Sequence, residues 1–164
     1  MVMTISQIMT KMVSFSEGNS RDISHFMLVW TYAKTISELE GIDPETRYIL
    51  EVAAITHDIA CPLCREKYGS TNGKYQEVEG PALVKAFLSD TGMTKEQIER
   101  VAFLVGHHHT LTGIEGSDWQ ILIEADYIVN AIEQGHSEQS VRNFVEKIMK
   151  TDSGKKLAMS VFGL

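Results

Sequence analysis

Apolar residues recur at helical spacing along almost the whole chain, and no stretch alternates apolar with polar residues as a half-buried strand must. This confines the fold to packed helices. The spacing predicts a first helix from about Thr4 to Phe15, broken by Glu17-Gly18-Asn19. Asn19 or Ser20 caps a long second helix reaching about Glu40, with His25, Leu28, Val29, Tyr32, Ile36 and Leu39 on one face and Gly41 ending it. Asp43-Pro44 opens a third helix, whose apolar run from Ile49 to Ile55 delivers His57 and Asp58 at its end, with Pro62 as the stop. Gly69, Ser70, Asn72 and Gly73 make Arg65 to Lys74 read as a surface loop. A helix from about Gln76 to Ser89 follows, and Gly92 closes its turn. Thr94-x-x-Gln97 and Ser117-x-x-Gln120 are capping boxes, the first opening a helix that ends in His107-His108-His109, the second one that carries Asp126. Shorter helices near Glu138 to Met149 and Ser153 to Val161 complete an all-α, single-domain bundle over residues 1–164. Its core spans about 20–133, and the helices of 134–164 pack on it.

Size and charge limit the functions such a bundle can serve. The chain has 164 residues, 43% hydrophobic and 23% charged, enough for one full core and short for two. A net charge of −7 argues against nucleic acid or an anionic membrane as the main partner. Met1 to Phe15 is too interrupted by polar residues for a signal peptide, and no run approaches the roughly 18 apolar residues of a membrane span, so the expected location is cytoplasmic. Cys61 and Cys64 are the only cysteines; no second Cys/His pair follows at zinc-finger spacing, and no βαβ context suggests a redox pair.

The chemistry concentrates on His25, His57, Asp58 and Asp126, which fall on or beside apolar stripes of three helices. Asp126 sits among Leu122, Ala125, Val129 and Ile132, where a carboxylate costs several kcal/mol unless a cation or hydrogen bonds compensate it. Imidazole and carboxylate together suit one divalent metal, and a shared ion explains all four residues at once. His108 follows Val101, Leu104 and Val105 on the inward face; His107 lies about 100° away and can still contribute at a helix end, whereas His109 is expected to meet solvent or the next loop. Glu79, in the first turn of its helix, suits the helix dipole as readily as a ligand role. Of the basic residues flanking these positions, Arg21 lies one turn before His25 and can hold a phosphate oxygen; Lys67 and Lys74 are further substrate-binding candidates, and Arg65 an ordinary surface charge.

The ordered set His25, His57-Asp58 and Asp126 resembles the H…HD…D pattern of the HD-domain superfamily. It appears within Ile23-Ser24-His25-Phe26, Ala53-Ala54-Ile55-Thr56-His57-Asp58-Ile59 and Ile123-Glu124-Ala125-Asp126, and the resemblance covers roughly Asp22 to Ala131. It implies an all-α bundle of the HD-domain type acting as a metal-dependent phosphohydrolase on phosphomonoesters or phosphodiesters, usually of nucleotides. It also implies that His25, His57, Asp58 and Asp126 hold a divalent metal. Members with two metals add histidines between the HD pair and the last Asp, where His107 and His108 fall, with Glu79 near a third such position. Thr110 to Gly116 contains no Gly-Tyr-Pro, unlike the cyclic-di-GMP phosphodiesterase branch, and Arg21 stands where some trinuclear members place an acid. The chain looks like the small, stand-alone bacterial HD proteins.

The residues and the resemblance lead to one expected mechanism: metal-bound hydroxide attacks phosphorus, with His57 and Asp58 as the catalytic pair and Asp58 orienting the water. The ion would be Mn, Fe, Co, Ni or Zn, one or two per chain. The expected partner is a small-molecule phosphate ester, foremost a nucleotide, and apolar helix faces at either end could support a homodimer. The alternative is a non-catalytic nucleotide or metal sensor using the same pocket.

Overall fold

A computed structural model describes all 164 residues and contains nine helices and no strand. In chain order these are α1 (Ile5–Phe15), α2 (Ser20–Leu39), α3 (Pro44–Thr56), α4 (Cys61–Tyr68), α5 (Gly73–Leu88), α6 (Lys95–His107), α7 (Ser117–Gln134), α8 (Glu138–Lys147) and α9 (Asp152–Val161). Local chemistry sets most of the ends. Thr4 and Thr94 form reciprocal capping boxes with Gln7 and Gln97. Asp43 caps α3 ahead of Pro44, and Gly41, at φ 68°, turns the chain out of α2.

Several local expectations need correction. Pro62 does not end α3; it lies in the first turn of α4, where the missing N–H has no helical partner to lose. The expected loop shrinks accordingly to Gly69–Asn72, because α4 runs to Tyr68 and the Asn72 side chain caps α5 at Gly73. Ser117 forms no capping box, since α7 begins at Ser117 behind Gly116, and Gln120 donates instead to Glu124 and the Ile148 carbonyl. The buried stripe of α2 is also rotated: Phe26, Ala33 and Ser37 point inward with His25, Val29 and Ile36, while Leu28 and Leu39 are exposed. Ile132 of α7 is exposed as well.

A cluster of 29 buried apolar side chains runs from Ile8 in α1 to Ala158 in α9. Helix α3 is its axis, buried at every residue from Leu50 to Thr56 and packed against α1, α2, α6 and α7. Burying α3 fixes the place of the His-Asp pair at its end. Helices α5 and α6 cross closely because each presents a glycine: a Cβ at Gly80 would lie 2.9 Å from Val105, and one at Gly106 2.9 Å from Pro81. This crossing brings the histidines at the end of α6 beside the start of α5.

The C-terminal helices are tied down by one buried carboxylate. Glu124 Oε2 accepts from Gln120 Nε2 at 2.6 Å and from the backbone N–H of Lys150 at 2.9 Å and Thr151 at 3.2 Å; Oε1 accepts from the Thr151 hydroxyl at 2.5 Å. Gly154 leaves room for it, since a Cβ there would lie 2.0 Å from Glu124 Oε1. No helix is long and apolar enough to cross a membrane. Glu124→Ala, which strands these buried donors, should cost about 2–3 kcal/mol and lower the melting temperature by roughly 5–10 °C in a thermal scan. An unchanged melting temperature would refute this anchoring role.

Candidate metal centre

Four of the expected ligands meet in one place, carried by three helices. His25 comes from the second turn of α2, His57 and Asp58 from the end of α3, and Asp126 from the middle of α7. The Nε2 atoms of His25 and His57 are 3.1 Å apart. Asp126 Oδ1 lies 3.2 Å from each of them, and Asp58 Oδ2 lies 3.2 Å from His25 Nε2 and 3.4 Å from His57 Nε2. His57 is fully buried, and Asp126 and His25 are only 5% and 7% exposed, so water cannot readily satisfy these atoms.

The far nitrogen of each imidazole identifies the tautomer. Nδ1 of His57 donates to the Ala54 carbonyl at 2.7 Å, and Nδ1 of His25 donates to Glu133 Oε1 at 2.8 Å. Both Nε2 atoms therefore present lone pairs to each other and to two carboxylate oxygens. Such a group of acceptors is repulsive unless a positive charge joins it. Burial opposes charging of either histidine, yet Asp126 and Asp58 outweigh it and raise His25 to about 11 and His57 to about 10. Burial likewise opposes the charged forms of Asp58 and Asp126, but His57 and its neighbours hold both below the usual carboxylate range. The spacing fits a metal: adjacent donors around a first-row ion with bonds of about 2.1 Å stand about 3 Å apart. Asp126 Oδ1, buried and without a hydrogen-bond donor, is the orphan that such an ion would satisfy.

A second group adjoins the first through Asp58. Its Oδ1 lies 3.3 Å from His108 Nε2, and Asp58, His108 and His109 together could hold a cation. His108 repeats the pattern of the others, since Nδ1 donates to the Val105 carbonyl at 2.7 Å and the buried Nε2 has no hydrogen-bond partner. The expectation for the histidine run is thus half corrected. His107 points away: its ring stacks on Phe103 with centroids 3.9 Å apart, and Nδ1 donates to the Phe103 carbonyl. His109 is exposed, as expected, but it also lines the open cavity, its ring against the backbone of Gly73, where a Cβ would lie 2.9 Å from the ring. Helix α6 ends at His107, so helical periodicity has no hold on His109.

Other candidates separate just as clearly. Glu79 lies outside the cluster, accepting from Lys67 Nζ at 2.6 Å and the Tyr68 hydroxyl at 2.7 Å. Lys67 is committed to that pair, and Lys74 lies over the Tyr75 ring; neither lines the cavity above the metal group. Arg21 and Arg65 do line it. Arg65 forks onto Asp22 with two bonds of 2.7 Å, whereas Arg21 makes no ion pair in the chain. Cys61 and Cys64 are buried free thiols.

Glu133 is the residue that sequence reading missed. It lies seven positions after Asp126 on α7, two helical turns along the same face, and that interval was the available signal. Its carboxylate holds the His25 ring and raises the basicity of Nε2, an arrangement that strengthens metal ligation. Glu133→Gln should therefore weaken metal affinity by about 10- to 100-fold in a competitive chelator titration, and His107→Phe should leave it unchanged. Unchanged affinity in Glu133→Gln would overturn its supporting role.

The comparisons agree with this geometry. The HD domain family profile matches residues 22–149, a span containing every residue of both groups. No curated protein matches the chain. A crystal structure of a predicted HD superfamily hydrolase from an uncultured Thermotogales bacterium superposes with a TM-score of 0.70 at 20% identity, covering 96% of this chain and 84% of that one. At that identity the likeness speaks to the fold, and the family profile speaks to descent. With His25, His57-Asp58 and Asp126 gathered into one acceptor cluster, the chain belongs to the HD-domain family.

Proposed function

We propose that this chain is a metal-dependent phosphohydrolase that cleaves a small phosphate ester in the cavity above His25, Asp58 and Asp126. The observation that carries this reading is the cluster's position. Buried imidazole lone pairs and carboxylates form the floor of an open cavity of about 510 Å³, and a guanidinium stands on its wall. A purely structural ion would have no use for either the opening or the free cation.

A divalent ion such as Mn, Fe, Co, Ni or Zn would be held by His25, His57 and Asp58 together with Asp126, whose Oδ1 lies 3.2 Å from both imidazoles, with Asp58, His108 and His109 available for a second. When bound, it supplies Lewis-acid polarisation of a phosphoryl oxygen and lowers the pKa of water. The remaining work falls to the side chains. Arg21, unpaired within the chain, meets the phosphate charge, and Arg65 keeps its Nε–H uncommitted beside it while Asp22 accepts one bond from each of its two terminal nitrogens. Asp58 orients the attacking water, one carboxylate oxygen facing the cluster and the other facing His108, and the water's proton leaves to solvent in the open cavity. A bond forms from water oxygen to phosphorus, the bond from phosphorus to the ester oxygen breaks, and that oxygen takes a proton from solvent in the open cavity.

Asp58→Ala should lower kcat on phosphomonoesters and cyclic nucleotides by roughly a hundred- to ten-thousandfold while the far-ultraviolet circular dichroism stays native. Saturable, metal-dependent turnover by the wild type supports the enzyme. Tight binding of a phosphate ester with no turnover would instead make the protein a sensor using the same pocket.

A further inference from the structure

The cavity wall has a chemistry of its own. Among its 14 lining residues Cys61 is the sole hydrophobic one, and apart from imidazoles no aromatic ring reaches it. Beside the charged groups it carries four side-chain amides, from Asn19, Gln76, Asn130 and Gln134. Gln76 is 5% exposed; its Nε2 donates to the Thr71 carbonyl at 2.7 Å, while Oε1 is buried with no partner in the chain. A buried, unpaired amide oxygen costs about 1–3 kcal/mol, so its retention at a ligand cavity calls for a donor from outside. The Asn130 amide, one turn beyond Asp126, makes no hydrogen bond within the chain. Glu133 uses Oε1 on His25 and leaves Oε2 without a hydrogen bond.

These groups match hydroxyls, which donate and accept from the same atom as the amides and carboxylate require. They match a nucleobase poorly. A base is held chiefly by stacking of its flat faces, worth about 1–3 kcal/mol on an aromatic partner, and this wall offers none. An adjoining cavity of about 150 Å³ shares His109, Asp126 and Asn130 with this one and holds Tyr127 and Phe144, whose rings stack on each other at 3.6 Å, so one face of each is already covered.

We infer that the organic part of the substrate is a polyol or sugar without a base, making the substrate a polyhydroxylated phosphomonoester in place of the expected nucleotide. This rests on the phosphohydrolase reading above. The phosphate sits over the cluster near Arg21, and the hydroxyls meet Gln76, Asn130 and Glu133.

The test compares ribose 5-phosphate with adenosine 5′-monophosphate, which differ by the base, with p-nitrophenyl phosphate as a general phosphomonoester. The metal-reconstituted protein should show kcat/KM at least about tenfold higher for ribose 5-phosphate than for the nucleotide. Gln76→Leu should lower the preference for ribose 5-phosphate over p-nitrophenyl phosphate about tenfold. Asn130→Ala, which breaks no bond within the chain, should lower it in the same direction should Gln76→Leu fold poorly. Adenosine 5′-monophosphate hydrolysed as well as or better than ribose 5-phosphate overturns the inference and leaves the hydrolase standing. No hydrolysis of any of the three esters, p-nitrophenyl phosphate included, with any of the metals overturns the hydrolase reading and this inference with it.

Discussion

Everything in this molecule depends on an unfavourable meeting of like atoms. Two imidazole nitrogens lie 3.1 Å apart, and each stands within 3.4 Å of two carboxylate oxygens at the floor of the cavity. With both far nitrogens engaged in holding the rings in place, the missing positive charge comes either from protons on the near nitrogens, which Asp58 and Asp126 favour, or from a cation. A cation converts the same four atoms from a repulsive cluster into a coordination site. The helices are spaced so that three of them deliver these atoms while a continuous apolar core underneath carries the folding energy.

The division of labour among the helices follows. Helix α3 is buried nearly all round and acts as a rigid post, so His57 and Asp58 are placed by packing and not by a loop. Helix α7 brings Asp126, Asn130 and Glu133 along one face, at successive intervals of four and three residues: a ligand, an amide of the wall and the carboxylate that orients His25. Two carboxylates thus serve opposite faces of α7. Glu133 works on the site, and Glu124, pointing the other way, fastens α9 to the bundle. The close glycine crossing of α5 and α6 then completes the cavity by bringing His109 against Gly73.

Much of this was legible in the chain. Helical periodicity located eight of the nine helices, and the Thr94 capping box and Asp43-Pro44 marked two of their starts by chemistry that acts over only a few residues. The missing helix, α4, was hidden because a proline reads equally as the stop of one helix and the first turn of the next; only the tight turn after His57 decides between them. The ligands on helices were readable for the same reason as the helices. His107's turn onto Phe103 and His109's place at the cavity were not readable because α6 ends at His107, and at a helix end the direction of a side chain is set by tertiary contacts such as Phe103 and Gly73. Glu79 and Lys67 looked like candidates for the site by sequence distance, but they satisfy each other on the outer side of α4 and α5. The polar character of the cavity lay beyond reach, since it depends on which amides of α5, α7 and the cap of α2 come to face one space.

The central claim is that the acceptor cluster exists to hold a metal. Inductively coupled plasma mass spectrometry on untagged wild-type protein beside Asp126→Ala tests it directly, a polyhistidine tag being excluded because it would carry metal itself. The account predicts roughly one or two transition-metal ions per chain in the wild type, lost in a variant that remains folded. No metal in either protein, even after reconstitution with Mn or Fe, would contradict it.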